Sequence, residues 1–217
     1  MISSEQLDRL RGQARSRAGS DPAHDWLHVR RVEHGAERIA RAEGARVDVV
    51  CAAAVLHELF SYPKGHPDSH LSGQRCAEQA AELMRAEGMD EENVLAVAEC
   101  IRVHPFSAGI VPQQLEAQVL QDADRLDAIG AIGVARCFAT CAQMGRPFYA
   151  EEDPLARGRP HDDKRFGLDH FHLKLLRLAE QMHTATGRVL AAERHGFLEV
   201  FLEQLGREIG ASRPSGS

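Results

Sequence analysis

Apolar residues recur along most of the chain at spacings of three and four, the period of an amphipathic α-helix. Strict alternation of apolar and polar residues, which is typical of half-buried strands, is almost absent. The pattern therefore predicts a nearly all-α protein. We predict helices over residues 5–17, 21–43, 47–59, 69–87, 91–104, 115–143, 169–184 and 187–209.

Two predicted helices and one connecting segment stand out. The helix over 47–59 is apolar on nearly every side, so it is expected at the centre of the fold. The helix over 115–143 has small residues in its interior, which allow neighbouring helices to approach closely. Asp21 and Pro22 are expected to begin the second helix as N-cap and first helical residue. The segment 146–167 contains three prolines and is predicted to be a long loop.

The composition limits the class of protein. A chain of 217 residues with 43% hydrophobic content is expected to form one domain over 1–210, followed by a disordered tail at 211–217. The net charge of -6 argues against nucleic acid as a partner. Five cysteines without a C-x-x-C pair indicate reduced thiols, and no apolar run is long enough for a membrane span. We expect a soluble cytoplasmic protein, a monomer or homodimer, without membrane or nucleic-acid partners.

Candidate metal ligands lie inside these apolar helical patterns. They are His28, the adjacent pair His57 and Glu58, and an acidic cluster that includes Asp122 and Asp124. A buried carboxylate or imidazole costs free energy unless something compensates it, and a divalent cation would compensate all of these groups. Asp122 and Asp124 point in different directions on a helix, so both cannot bind one ion in the same way. The competing interpretations are a satisfied core histidine at 28 and a solvent-exposed helix end at 57–58.

Several segments resemble the HD superfamily of metal-dependent phosphohydrolases. They read H-D-W-L-H-V-R-R-V, P-K-G-H-P, Q-D-A-D-R-L-D-A-I-G-A-I-G, R-P-H-D-D-K-R-F and H-F-H-L-K-L-L. They are most similar to the branch typified by the bacterial YedJ and YpgQ proteins, over about residues 23–205. The resemblance implies an HD-domain helical bundle with a metal-binding core at about 21–130, additional C-terminal helices at about 168–210 and one long loop.

The resemblance also implies a ligand set for a divalent metal ion, which would be Mn, Mg, Ni, Co, Fe or Zn. The set is His28, His57, Glu58 and Asp124, with Asp122 as the second choice for the last position. Glu58 stands where the name-giving motif has aspartate. Its extra methylene group changes the reach of the carboxylate, and metal ligands tolerate an error of only about 0.2 Å.

Other residues are expected to assist the reaction. Asp124 or Asp25 is the predicted proton acceptor, and Lys64 and His66 are the predicted contacts to phosphate oxygens or the leaving group. The predicted substrate-binding residues are His24, Lys64, His66, His104, Asp122, Arg125, Lys164 and Arg165. For Lys64 and His66 the alternative is exposed side chains without a role, and for the loop 159–165 it is a solvated loop with internal salt bridges.

The resemblance implies hydrolysis of a nucleoside or deoxynucleoside triphosphate to the monophosphate and pyrophosphate. Two alternatives remain open. One is an HD-type di-iron oxygenase, with additional ligands from His24, His66, His70 or His104. The other is a nucleotide- or metal-binding module in which Glu58 has abolished turnover.

Overall fold

The computed structural model describes residues 1–19, 21, 23–62, 66–105 and 109–211. Over these residues the protein is α-helical, and the β-structure described is limited to an isolated bridge between Gly19 and Asp25. The all-α prediction is confirmed. The helices are α1 (Ser4–Arg17), α2 (Trp26–Glu43), α3 (Val47–Leu56), α4 (Ser72–Ala86), α5 (Glu91–Val103), α6 (Leu115–Asp127), α7 (Gly130–Gln143), α8 (Gly167–Leu173) and α9 (Ala185–Glu208). Short 3-10 helices cover Ser69–Leu71 and Leu175–Gln181.

The start of α2 differs from the prediction. Asp25, and not Asp21, caps the helix, because its Oδ1 accepts a hydrogen bond from the backbone N–H of His28 at 2.9 Å. The predicted start at Asp21 and Pro22 is therefore wrong, and Pro22 lies outside the described residues. As a consequence, His24 lies in the segment that leads into α2.

The central position of α3 is confirmed. Every residue from Val49 to Leu56 is buried, and the helix lies against α1, α2 and α5. Each fully buried Val or Leu side chain contributes roughly 1.5–3 kcal/mol relative to exposure. The helix ends earlier than predicted, because His57 is already its C-cap. His57 and Glu58 therefore project from the end of the most buried helix of the fold.

The long helix predicted over 115–143 is wrong. The chain leaves the helical path after α6 and begins α7 at Gly130, which has a φ of 73°. This left-handed conformation is accessible to glycine at little cost. A side chain at Gly133 would also meet the carbonyl oxygen of Ala128 at 2.3 Å, so the close turn depends on both glycines.

The described residues group into two compact units. The first contains residues 1–124 and 183–187, and the second contains residues 125–182 and those from 188 onward. The second unit includes the predicted long loop, which is non-helical over 144–166. The prediction of a single domain over 1–210 stays a prediction, and the tail predicted at 211–217 lies outside the described residues beyond Ala211. Among the described residues, no helix combines the length and apolar character that crossing a membrane requires.

Candidate metal centre

Three distant segments bring polar atoms to one point in the first unit. His28 lies on α2, His57 caps α3, and Asp124 lies on α6. The Nε2 atoms of His28 and His57 are 3.2 Å apart. Asp124 Oδ1 lies 3.6 Å from His28 Nε2 and 4.0 Å from His57 Nε2. Both histidines are buried, whereas the side chains of Glu58 and Asp124 are 19% and 26% exposed.

Glu58 reaches the same point despite its longer side chain. Its Oε1 lies 3.6 Å from His28 Nε2 and 3.9 Å from His57 Nε2. The same oxygen accepts a hydrogen bond from Nδ1 of His24 at 2.8 Å. His24 therefore fixes the orientation of the carboxylate that replaces the aspartate of the motif.

The distances from the two imidazoles to each other and to each carboxylate are compatible with a bound divalent cation. Two atoms that each bind one ion at about 2.1 Å lie at most about 4.2 Å apart. All the measured separations from the two imidazoles to each other and to the carboxylates fall between 3.2 and 4.0 Å. Two imidazole nitrogens and two carboxylate oxygens suit Mn, Fe, Ni, Co or Zn, and carboxylates also suit Mg. The residues present therefore fit the divalent metal that the resemblance implies.

Backbone carbonyls hold two of the imidazoles in the orientation that metal binding needs. Nδ1 of His57 lies 2.6 Å from the carbonyl oxygen of Ala54. Because a carbonyl only accepts, Nδ1 must donate, and the neutral ring keeps its lone pair on Nε2. His104 makes the same contact with the carbonyl of Ile101 at 2.6 Å, and its ring centroid lies 5.3 Å from that of His57. The structure thus brings the predicted residue His104 next to the centre.

The electrostatics favour a cation at this point. Burial lowers the pKa of His57 to about 4, although the nearby carboxylates partly oppose this, so the ring is neutral at pH 7. Burial alone would raise the pKa of Asp124, but the neighbouring imidazoles outweigh it and lower the pKa. For Glu58, burial is likewise outweighed by hydrogen bonds from His24 and His28, and the pKa lies well below its usual value. Neutral imidazoles and ionised carboxylates are the forms that bind metals.

Asp122 and Asp124 face different partners. Asp122 is fully buried, and its Oδ1 accepts from the backbone N–H of His183 at 2.8 Å. Its Oδ2 accepts from the backbone N–H and the hydroxyl of Thr184 at 2.8 and 2.7 Å. Asp124 instead faces the imidazoles of His28 and His57. The geometry therefore supports Asp124, and not Asp122, as the metal ligand.

The structure gives the other predicted residues of the first unit local contacts. Asp25 caps α2, as described above. His66 stacks on Tyr62 with a centroid distance of 4.6 Å, and its Nδ1 accepts from the backbone N–H of Asp68 at 3.1 Å. Neither group of candidate ligand atoms found in the described residues includes His66. Lys64 lies outside the described residues. The catalytic roles of Asp25, His66 and Lys64 stay predictions.

The predicted cations of the second unit also make local contacts. Arg125 donates to the carbonyl of Gln181 at 2.5 Å. The backbone N–H of Lys164 donates to Asp162 Oδ1 at 3.1 Å, and the guanidinium of Arg165 lies 5.1 Å from the ring centroid of Phe166. Their role in binding substrate stays a prediction.

Arg159, at the start of the loop 159–165, forms a salt bridge with Asp169 of α8. Arg159 donates to both oxygens of the buried Asp169 at 2.5 and 2.9 Å. This pair therefore connects the loop to α8 and neutralises the charge of both residues.

The sequence interpretation missed Thr184 and Gly187, which contact Asp122. Thr184 is a helix N-cap, because its Oγ1 accepts from the backbone N–H of Gly187 at 2.9 Å. A threonine directly before the start of an apolar helical pattern is a usable signal. The sequence interpretation did not use this N-cap signal, because it predicted that the last helix begins at Gly187, whereas α9 begins at Ala185.

Comparison with known proteins gives consistent matches. The family described as HD domain matches residues 26–129. The protein YpgQ of Bacillus subtilis is 36% identical over 191 residues, which are 86% of this chain and 84% of that relative. The crystal structure of YpgQ in complex with ADP has a TM-score of 0.73 and 34% identity, and the match covers 94% of this chain and 98% of that one. An HD-superfamily hydrolase from Bacillus thuringiensis has a TM-score of 0.75 and 28% identity, with 96% and 98% of the two chains covered.

The family match includes α2, α3 and α6, the three helices that bring His28, His57 and Asp124 together. The all-α fold, the cluster of imidazoles and carboxylates and the similarity to YpgQ over most of both chains agree with one another. The chain belongs to the HD family and is a metal-dependent phosphohydrolase.

Proposed function

We propose that the protein hydrolyses nucleoside or deoxynucleoside triphosphates to the monophosphate and pyrophosphate. The observation that carries this proposal is the arrangement of His28, His57, Glu58 and Asp124, in which the Nε2 atoms of the two histidines lie within 4.0 Å of each other and of one oxygen of each carboxylate. The crystal structure of YpgQ in complex with ADP supports a nucleotide as the substrate class, because that protein shares 34% of its sequence with this chain.

In this proposal the four residues bind one divalent metal ion, with manganese as the first candidate. A bound ion lowers the pKa of water and polarises a phosphoryl oxygen, so that hydrolysis needs no covalent enzyme intermediate. His24 holds the carboxylate of Glu58, and the backbone carbonyl of Ala54 holds the ring of His57. These contacts reduce the motion of the ligands before substrate arrives.

The proposed proton acceptor is a carboxylate. Asp25 and Asp124 are the two candidates. One oxygen of Asp25 caps α2, and one oxygen of Asp124 faces the imidazoles. Because each carboxylate has a second oxygen, either residue retains an atom that can accept a proton from water.

The phosphate groups are proposed to meet cations and imidazoles. In the first unit the candidates are Lys64, His66 and His104, and of these His104 lies beside the ring of His57. In the second unit they are Arg125, Lys164 and Arg165. Positive groups of this kind neutralise the charge that develops on the leaving oxygens.

The five cysteines are all buried free thiols, which supports the proposed cytoplasmic location.

Turnover across a panel of ribo- and deoxyribonucleoside triphosphates tests the proposal. Each nucleotide is assayed with Mn, Mg, Co, Ni, Fe and Zn, and orthophosphate and pyrophosphate are scored separately. We expect equal amounts of monophosphate and pyrophosphate. Release of orthophosphate alone would contradict the pyrophosphohydrolase reaction and indicate a phosphatase.

A pair of glutamate variants connects the reaction to the cluster. Glu58→Gln keeps the length of the side chain but removes the negative charge, so we expect metal affinity and activity to fall by about two orders of magnitude. Glu78→Gln is the matched control, because Glu78 pairs with Arg75 on α4. Wild-type metal affinity in Glu58→Gln would remove Glu58 from the ligand set.

A two-ion site is the second candidate. The polar atoms form two overlapping groups of possible ligands, His24, His28 and Glu58 in one and His28, His57 and Asp124 in the other. Such an arrangement is compatible with an HD-type di-iron oxygenase. Two irons per chain together with oxygen-dependent turnover would favour it over hydrolysis, whereas turnover without oxygen would exclude it.

A further inference from the structure

A second buried carboxylate lies two residues before the proposed ligand Asp124. Asp122 is fully buried, and three hydrogen bonds from the segment His183–Gly187 satisfy its two oxygens. A buried carboxylate costs free energy unless such donors compensate it, so these bonds fix where Asp122 lies. Because Asp122 and Asp124 belong to the same helix α6, a constraint on one also constrains the other.

The segment that meets Asp122 is the beginning of the longest helix, α9. Thr184 donates its hydroxyl to Asp122 Oδ2 at 2.7 Å and accepts the backbone N–H of Gly187 at 2.9 Å. The N-terminus of a helix favours a negative charge, because its first N–H groups have no partners within the helix. A Cβ atom at Gly187 would lie 2.4 Å from Asp122 Oδ2, so this close approach requires glycine.

Two further contacts connect the same segment to the helices that carry the ligands. Gln121, also on α6, lies 2.5 Å through its Oε1 from Nε2 of His183. Glu43, the last residue of α2, accepts the backbone N–H of Thr186 at 2.5 Å. The segment His183–Gly187 is thus bonded both to α2, which carries His28, and to α6, which carries Asp124.

Gln121 extends this hydrogen-bonded network to the C-terminal end of α5. Its side-chain amide donates to the backbone carbonyls of Val103 and His104 at 3.1 and 3.4 Å. His104 lies beside the ring of His57. The end of α5 and the ligand-bearing turn of α6 are therefore held in one hydrogen-bonded network.

We propose that Asp122 is a positioning residue for the metal centre and that the segment His183–Gly187 is a clamp that holds α6 against α2. The clamp fixes the rotation and height of the α6 turn, and with it the position of Asp124 relative to His28 and His57. Metal ligands tolerate displacements of only about 0.2 Å, so a small rotation of α6 is enough to weaken binding. This inference rests on the proposed ligand role of Asp124.

Cobalt binding tests the proposal without any assay of activity. Thr184→Val keeps the shape of the side chain but removes the hydroxyl that bonds to Asp122. Gly187→Ala introduces a methyl group against Asp122 Oδ2. We expect both variants to bind Co²⁺ about tenfold more weakly, the lower end of the range for outer-shell changes, and to show an altered visible absorption spectrum of the bound Co²⁺. Thr184→Ser restores the hydroxyl and is expected to restore both properties.

Two controls separate positioning from general loss of stability. Thr186→Val makes the same side-chain change two positions away, where the contact to Glu43 uses the backbone N–H, and is expected to bind Co²⁺ normally. Leu198→Ala removes a fully buried side chain of the second unit and is expected to lower the melting temperature without changing the affinity or the spectrum. If Thr184→Val and Gly187→Ala melt earlier but bind Co²⁺ with wild-type affinity and spectrum, the proposal is overturned.

Asp124→Asn distinguishes failure of this inference from failure of the proposed function. If Asp124→Asn keeps wild-type Co²⁺ affinity, the proposed ligand set is wrong, and the clamp then has no metal ligand to position on α6. If Asp124→Asn loses Co²⁺ while Thr184→Val and Gly187→Ala keep it, the ligand set stands and only the positioning role is refuted.

Discussion

Two clusters contain similar residue types but neutralise their buried carboxylates differently. One is the metal cluster around His57, and the other is the loop cluster, in which the loop residues Arg159 and Asp162 contact Asp169 of α8. In the loop cluster, both oxygens of the buried Asp169 accept hydrogen bonds from the guanidinium of Arg159 at 2.5 and 2.9 Å, and one of them also accepts the backbone N–H of Asp162 at 2.6 Å. In the metal cluster, the carboxylates face imidazoles, and two imidazole nitrogens face each other at 3.2 Å.

The difference shows which kind of cluster needs a cation. An arginine carries a permanent charge, so it neutralises a buried aspartate by itself. An imidazole with a pKa of about 4, as burial gives His57, brings no positive charge at pH 7 to balance Glu58 and Asp124. Both regions contain histidines, aspartates and candidate phosphate contacts, so the sequence alone does not show which buried carboxylate meets an arginine and which meets imidazoles.

Removing one imidazole from each cluster gives the largest contrast. His57→Ala is expected to lose all metal that survives dialysis and all hydrolytic activity, because it removes a ligand from the centre. His172→Ala removes the ring that stacks on His161 at 4.6 Å and is expected to keep the wild-type metal content. Elemental analysis of the dialysed proteins measures both. Equal loss of metal in the two variants would show that the contrast between the clusters is wrong.

Acid is expected to destabilise the metal-free protein through the His57 cluster. The unfolded chain protonates this histidine near 6.5, but the folded protein does so only near a pKa of about 4. The unfolded state therefore binds more protons in this window, and the free energy of unfolding falls by about 3 kcal/mol as the pH drops through it. Urea unfolding at a series of pH values measures the slope.

The variant His57→Gln isolates this contribution. Burial also lowers the pKa of His172, which acts in the same direction, so only the difference between wild type and variant belongs to His57. Below this window, protonation of Glu58 and Asp124, whose pKa values are lowered, destabilises the protein further. Parallel curves for wild type and variant between pH 6.5 and 4 would contradict the assigned pKa.

Breaking the loop cluster is expected to have the smallest effect and to leave the metal untouched. Arg159→Ala leaves Asp169 buried without its cation and should cost about 2 kcal/mol of unfolding free energy, less than for a fully buried pair. The side chain of Arg159 remains 21% exposed to solvent, which explains why the expected loss of unfolding free energy is lower than for a fully buried pair. Arg157→Ala, at an exposed neighbour, is the control. Thermal or urea unfolding measures the cost, and a change in metal affinity would contradict the expectation that the pair of Arg159 and Asp169 has no part in metal binding.

The sequence was sufficient for the features that depend on near neighbours in the chain. The helical period predicted α1 to α5 and α9, and Gly44 ends α2 as a left-handed C-cap. The continuous helices predicted over 115–143 and 169–184 are wrong, because the first is divided into α6 and α7 and the second into α8 and a 3-10 helix. Polar residues inside apolar runs identified His28, His57, Glu58 and Asp124 as candidates that need compensation. The sequence also showed that Glu58 replaces the aspartate of the motif. It did not show the structural consequence, because the hydrogen bond between His24 and Glu58 forms only in the folded chain.

The tertiary structure decided which of several equivalent residues meet. Asp122 and Asp124 are two positions apart on α6, and the sequence does not distinguish them. Asp122 binds the N-terminus of α9 at Thr184, which is distant in sequence, whereas Asp124 faces the imidazoles. The break at Gly130 was hidden because the residues around it continue a helical pattern. Helical periodicity reflects contacts within about four residues, whereas the partner of a buried carboxylate depends on segments that are distant in sequence.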